Sequence, residues 1–119
     1  MPGQEDPRAI FDPAAFERQT GGDAELRAEI IRMFLEDCPV RTGEIAAAVA
    51  SGDAQALVSC AHALKGSAAY LAASIVRGCA AELEKAGRER RLPDAPPLVA
   101  KLDAAVADLL AELHRIHGH

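Results

Sequence analysis

The stretch LVSCAHALKGSAAYL, from Leu57 to Leu71, decides the fold because it carries the most regular apolar pattern in the chain. Its apolar positions recur at intervals of four, three, four and three residues. That spacing is typical of an α-helix with one face buried against other helices. Asp53, just before the stretch, is a favourable N-cap, so we predict that a long helix begins there. The residues of this apolar face are Leu57, Ala61, Leu64, Ala68 and Leu71.

Two helical segments are predicted upstream. Asp12 followed by Pro13 indicates a short helix through about Gln19, which the glycine pair at 21–22 ends. Asp23 is a predicted N-cap for a second, long helix with a half-buried apolar stripe. Pro39 is expected to kink or break this helix, and the helical pattern then resumes until position 52. The stripe consists of Leu26, Ile30, Met33 and Phe34.

Two more helices are predicted downstream. Ser74 is a candidate cap for the fourth helix, and the prolines of LPDAPP predict a loop after it. The last helix is expected to start near Pro97. The cations towards the end of the fourth helix are expected to offset the helix dipole and to stay solvated. They are Lys85, Arg88, Arg90 and Arg91.

These segments predict an all-α fold. Helices with one apolar face that are joined by short loops pack as an antiparallel bundle. We predict a four-helix bundle with a short extra N-terminal helix over residues 10–117, preceded by a flexible tail over residues 1–9. The chain of 119 residues is long enough for one domain with its own core.

Composition excludes several classes of function. The net charge of −5 argues against nucleic acid and an anionic membrane surface as partners. We expect no signal peptide, because the first residues have neither a basic start nor an apolar run, and we expect no membrane span, because no apolar run is long enough for one. Three scattered cysteines are typical of reduced thiols, so we predict a cytoplasmic protein. Abundant alanine, and more arginine than lysine, fit a GC-rich bacterial genome.

His62 stands out on the central helix because of its phase. At about 100° per residue, it points roughly 140° away from the centre of the apolar face. A buried core histidine is therefore disfavoured, whereas an ordinary surface histidine is compatible with the phase. An unprotonated, exposed imidazole is a nucleophile at neutral pH.

The neighbours of His62 on the outer side of this helix are unusual for a solvated face. Apart from Lys65 they are small, and they leave a smooth surface that another protein can approach. Gly66 removes a side chain that would crowd the ring, and Lys65 can neutralise a phosphoryl group carried on it. The small residues are Ser59, Gly66, Ala69 and Ala73. The predicted docking face consists of Ser59, Ser67, Ala69 and Ala73, beside Gly66.

The segment from His62 to Ser67, with His62, Leu64, Lys65, Gly66 and Ser67 at the matching positions, resembles the signature of histidine-containing phosphotransfer (HPt) domains. The flanks, from Ile10 to Leu113, are also similar to that family. The resemblance implies a phosphorelay carrier with His62 as the phosphoacceptor, Lys65 stabilising charge and Gly66 leaving room for the partner. It implies receiver domains of response regulators and a hybrid histidine kinase as partners. The receiver would bring the Mg²⁺, and this chain would bind no cofactor. Separately, a bundle that already buries its own apolar faces needs no second copy, so we expect a monomer.

The chain departs from the family pattern at two positions near the end of this helix. Ala72 stands where the family often has glycine, which puts the end of the helix in question. Tyr70 stands where a smaller polar residue is common, and we expect it to pack against a neighbouring helix.

Three other functions compete with the carrier. A plain helical adaptor would use the smooth face only for docking. The C-terminal HRIHGH, with His114, His117 and His119, offers a weak zinc or nickel site. An autonomous kinase is disfavoured because no nucleotide-binding motif is present, so the chain is not expected to be an enzyme with its own ATP site.

Overall fold

The computed structural model describes residues 8–117, and all of its long elements are helices. Each long helix contacts two others, so that α2, α3, α4 and α5 close a ring in that order. The predicted four-helix bundle with a short N-terminal helix is therefore confirmed. The elements are α1 Pro13–Gln19, α2 Ala24–Ser51, α3 Ala54–Tyr70, α4 Ser74–Arg88, a 3₁₀ turn Leu92–Asp94, and α5 Ala95–His117.

Three of the predicted helix starts are confirmed by their capping bonds. In each case an aspartate carboxylate accepts a hydrogen bond from the backbone N–H three residues further on, which satisfies a donor that the helix itself leaves free. The bonds are Ala15 to Asp12 (3.1 Å), Leu26 to Asp23 (3.0 Å) and Ala56 to Asp53 (3.0 Å).

Helix α2 runs through Pro39 without interruption, so a break at this proline does not occur. Phe34 and Cys38 before Pro39 and Ile45 after it are all buried. This packing on both sides holds the chain helical although Pro39 donates no hydrogen bond. Pro39 itself lies on the exposed side of the helix.

Helix α3 ends at Tyr70 despite the missing glycine. Ala72 adopts the left-handed conformation itself, with φ of 57°. The N–H of Ala73 donates to the Ala68 carbonyl (2.9 Å), and that of Ala72 donates to Ala69 (3.1 Å). These two bonds form a Schellman motif, in which glycine normally occupies the position of Ala72. An alanine there costs about 1–2 kcal/mol.

The starts of the last two helices differ from their predictions. Ala73, not Ser74, is the N-cap of α4, and the Ser74 hydroxyl has no hydrogen-bond partner among the described residues. The N–H of Ile75 instead donates to the carbonyl of Ala9 (3.2 Å), so this part of the predicted tail contacts the bundle. Helix α5 begins at Ala95 rather than near Pro97, because prolines fit a first helical turn, where the backbone N–H that proline lacks is not needed.

The core consists mainly of leucine and alanine from the four long helices. The predicted apolar face of α3 is buried along its whole length. On α2 the stripe is divided, since Phe34 is buried while Leu26 and Met33 are exposed. No helix within residues 8–117 is both long and apolar enough to cross a membrane.

Candidate functional site

His62 projects from the middle of α3, and 64% of its side chain is exposed. Its neighbours along the chain, Ala61 and Leu64, are fully buried in the bundle. The exposure predicted from the helical phase is thus observed. The rest of the site comes from one further residue of α3 and two residues of α4.

Glu84 of α4 is the residue on which the site converges. Its side chain is only 5% exposed, and one carboxylate oxygen lies 2.9 Å from Nδ1 of His62. The other oxygen lies 2.5 Å from Nζ of Lys65, and Nη2 of Arg88 lies 2.6 Å from the first. A single buried carboxylate therefore joins an imidazole and two cations from two neighbouring helices.

These contacts keep Glu84 ionised. The hydrogen bond from Lys65 contributes most to lowering its pKa, followed by the one from Arg88; the bond from His62 contributes less. Burial acts in the opposite direction, but the net result is a pKa of about 2, against an ordinary value of 4.5. Hydrogen bonds to the charged form outweigh desolvation here.

Glu84 and the pairing of Arg88 were missed by the sequence analysis. Arg88 was expected to offset the helix dipole and to stay solvated; it is exposed, but it also binds Glu84. Arg91 likewise pairs with Glu89 and Asp94. The sequence feature that could have indicated a buried Glu84 is its position on α4, where it shares the buried face with Ala80 and Leu83. Glutamate is seldom fully buried unless it is paired.

Gly66 lies on the exposed side of α3, one turn after His62. A Cβ atom built at this position would meet nothing within 4 Å. The expectation that a side chain here would crowd the ring is therefore wrong for a methyl group. The open space at Gly66 points away from the protein, where only another molecule can use it.

The predicted smooth face is only partly exposed. Ser59 is exposed, whereas Ser67 and Ala69 are half-buried. Ala73 is fully buried, because α3 ends before it and the turn folds it into the core; it does not belong to this face. Tyr70 was expected to pack against a neighbouring helix, but it is 70% exposed.

Tyr70 borders an apolar groove of about 690 Å³ between α2 and α3. On α3 the groove continues the line that starts at His62, since Gly66 and Tyr70 follow it at successive intervals of four residues. The other lining residues are Leu26, Ile30, Met33, Phe34, Glu36, Asp37 and Ser67. The smooth surface beside His62 thus passes into an exposed apolar surface.

The alternative metal site was predicted in the C-terminal segment. His114 is exposed, while the side chain of His117 and all of His119 lie outside the described part of the chain. Among the described residues, no group of three potential ligands is placed to hold a metal ion. Cys38 and Cys79 are buried and Cys60 is half-buried, all as free thiols.

Known proteins resemble this chain in sequence profile and in structure. Histidine-containing phosphotransfer protein B from Pseudomonas aeruginosa PAO1 is similar with a TM-score of 0.86 and 24% identity, covering 92% of this chain and 96% of that one. The HPT domain of a sensor hybrid histidine kinase from Shewanella is similar with a TM-score of 0.81 and 18% identity, covering 90% and 92%. No curated protein matches the chain in sequence. The profile of the Hpt domain matches residues 29–117, three quarters of the chain, and the protein therefore belongs to the Hpt domain family of histidine phosphotransfer carriers.

Proposed function

We propose that His62 is the phosphoacceptor of this carrier, receiving a phosphoryl group from an aspartyl-phosphate receiver domain and passing it to another receiver. The observation that supports this most is the exposed imidazole, anchored through Nδ1 on a buried carboxylate. With one ring nitrogen engaged, the other is directed to the side that a partner can reach. The residues that match the family signature, His62, Leu64, Lys65 and Gly66, lie in the same segment of α3.

Lys65 and Arg88 supply the positive charge for the transferred group. Both bind Glu84, so one carboxylate faces two cations and an excess of positive charge remains beside the ring. Arg88 is exposed and Lys65 is half-buried, which leaves both able to turn towards a phosphoryl group on His62. Preorganised cations of this kind stabilise charge that develops during transfer.

The receiver is proposed to dock over the surface from Ser59 past Gly66 and Ala69 to the groove beside Tyr70. Apolar side chains exposed next to an otherwise smooth surface are typical of protein interfaces. Met33 and Tyr70, which are 55% and 70% exposed, form the apolar part. Ser67 lies in the wall of the groove.

The remaining parts of the reaction are assigned to the partners. The receiver supplies the aspartate and its Mg²⁺, and a hybrid histidine kinase supplies the phosphoryl group upstream. This chain acts as a monomeric carrier without an ATP site of its own, in the cytoplasm of a bacterium. The four long helices already cover one another's apolar faces, so the fold needs no second copy.

Phosphoryl transfer from a phosphorylated receiver tests the proposal. In the presence of Mg²⁺, the wild-type protein should acquire an acid-labile, base-stable label, and His62→Gln should acquire none. His114→Gln is the matched control, because this histidine is also exposed but lies on α5; it should be labelled like the wild type. Equal labelling of His62→Gln would move the phosphoacceptor elsewhere. No labelling by any receiver, the cognate one included, would favour the adaptor.

A further inference from the structure

A second groove, of about 450 Å³, is formed by α1, α2, α5 and the segment that precedes α1. It has no lining residue in common with the groove beside Tyr70, so it is separate from the surface proposed for the receiver. Its volume lies within the range of about 300–1,000 Å³ that is typical of small-molecule sites. The groove can therefore be considered as a binding site in its own right.

The apolar part of this groove brings together side chains from four segments of the chain. They are Phe11, Phe16, Ile31 and Ile116. Phe16 and Ile31 are buried, whereas Ile116 is exposed. The ring of Phe11 meets that of Phe16 edge to face, with 5.6 Å between the ring centroids. These side chains offer both aromatic and aliphatic surface to an apolar group that enters the groove.

Arg27 of α2 supplies a positive charge to the same groove. The residue is half-buried, and its Nη1 atom is buried without a hydrogen-bond partner among residues 8–117. Two other arginines of this helix, Arg32 and Arg41, each bind two carboxylates of α2. A guanidinium that is partly removed from water is costly unless an anion pairs with it. An anionic ligand in the groove would supply the missing partner.

We propose that this groove binds a monocarboxylate with an apolar tail, aliphatic or aromatic, whose carboxylate pairs with Arg27 while the tail packs against Phe16 and Ile31. A planar guanidinium matches the two oxygens of a carboxylate. Glu17, which is exposed, also lines the groove, and its negative charge disfavours a ligand with a second negative charge, such as a phosphate dianion. The proposal does not depend on the role of His62.

A chemical-shift titration of the wild-type protein with octanoate tests the proposal. The methyl signals of Ile31 and Ile116 and the side-chain N–H signals of Arg27 should shift saturably. Octanamide has the same tail without the charge, and inorganic phosphate has the charge without the tail. Both should bind at least about tenfold more weakly than octanoate. The methyl signal of Met33, in the groove between α2 and α3, should not shift.

Two substitutions separate the contributions of charge and tail. Arg27→Gln should weaken octanoate binding by about tenfold or more, because it removes the cation that pairs with the carboxylate. Ile116→Ala should weaken it by a smaller factor, because it removes only part of the apolar surface. Arg32→Gln is the matched control, since Arg32 lies on the same helix but pairs with Glu29 and Glu36; it should bind octanoate like the wild type.

Several outcomes would overturn the proposal. The first is the absence of saturable shifts in the wild type. Equal affinities for octanoate and octanamide, or for the wild type and Arg27→Gln, would show that Arg27 binds no carboxylate. An equal affinity for phosphate would show an anion site that does not select an apolar tail. Shifts of the same size at Met33 would show non-specific binding to apolar surfaces.

Two further measurements distinguish other occupants of the groove. Glu5 and Asp6 lie outside the described part of the chain. If the double variant Glu5→Gln with Asp6→Asn bound octanoate about tenfold more tightly, an acidic residue of this chain would be the partner of Arg27 instead. A dimer in analytical ultracentrifugation that dissociates in Arg27→Gln would make a second copy the occupant. Either result would overturn the proposal.

Discussion

At the scale of single residues, Glu84 connects the charged groups of the site. Its carboxylate is buried, and the three groups that surround it come from its own helix and from α3. A buried ion pair adds little stability compared with apolar packing, but breaking one by removing a partner is costly. The cluster is therefore better explained by what it does to His62 than by the stability of the bundle.

The lowered pKa of Glu84 predicts how its contribution to stability depends on pH. A carboxyl group whose pKa falls on folding stabilises the protein above its ordinary value of 4.5, and this contribution is lost as pH falls towards about 2. Urea unfolding at pH 7 should show Glu84→Gln destabilised by about 1–3 kcal/mol. At pH 3 the difference from the wild type should be smaller. Glu82, also on α4, pairs with Lys101 at the surface, so Glu82→Gln should show little difference at either pH, since exposed pairs contribute little. A Glu84→Gln difference that stays constant with pH would contradict this account.

Gly66 allows stability and function to be separated. Gly66→Ala should raise the free energy of unfolding by about 0.5–1 kcal/mol, because alanine favours the helix and its methyl group meets nothing in the protein. Gly78→Ala in α4, which also has open space around it, should gain the same stability. Transfer to and from a receiver should slow by about tenfold or more in Gly66→Ala only. If both variants transfer at the wild-type rate, Gly66 is not needed as clearance.

At the scale of elements, the contact between α3 and α4 depends on Gly87. A Cβ atom at this position would lie 2.8 Å from Cγ2 of Val58 and 3.2 Å from the carbonyl oxygen of Ala54. Helix α4 can approach the start of α3 this closely only because glycine has no side chain. The same approach brings Glu84, one turn earlier on α4, against His62 and Lys65.

Gly87→Ala should therefore destabilise the protein by about 1–3 kcal/mol, although the same substitution at Gly78 stabilises it. The reason is overpacking against Val58, so the double variant Gly87→Ala with Val58→Ala should recover part of the loss. Chemical denaturation of the two single variants and the double variant measures the coupling. Purely additive effects would show that Val58 is not the obstacle.

The sequence predicted the elements well where local chemistry decides them. The caps at Asp12, Asp23 and Asp53 depend on residues within one turn, and all three formed. Three other features depend on contacts between distant parts of the chain. They are the left-handed conformation of Ala72, the continuous helix at Pro39 and the ion cluster around Glu84. Ala72 is held in the left-handed conformation, which alanine ordinarily avoids, by two contacts. Its side chain is buried, and its carbonyl accepts a hydrogen bond from the N–H of Asp12 (3.1 Å). Such contacts cannot be inferred from local patterns, because they require the packing of the bundle to be known.

At the scale of the whole molecule, exposed apolar side chains lie on two sides of the bundle. Leu26, Met33 and Tyr70 border the groove that continues the surface of His62. Ile116, which is 43% exposed, borders a different groove formed with α1 and another face of α2. If the receiver docks over His62, as proposed, only the first of these surfaces should contribute to its binding.

Alanine substitution at Met33 and at Ile116 compares the two surfaces directly. Both side chains are aliphatic and about half exposed, so neither substitution should change the free energy of unfolding by more than about 0.5 kcal/mol. Met33→Ala should weaken binding to the receiver by about 1–2 kcal/mol, a five- to thirtyfold increase in Kd, because it removes an apolar contact from the proposed interface. Ile116→Ala should leave Kd unchanged in the same calorimetric titration. Equal Kd values for the two variants and the wild type would place the receiver away from the α2–α3 groove, and weaker binding by Ile116→Ala alone would move the docking surface to the other side of the bundle.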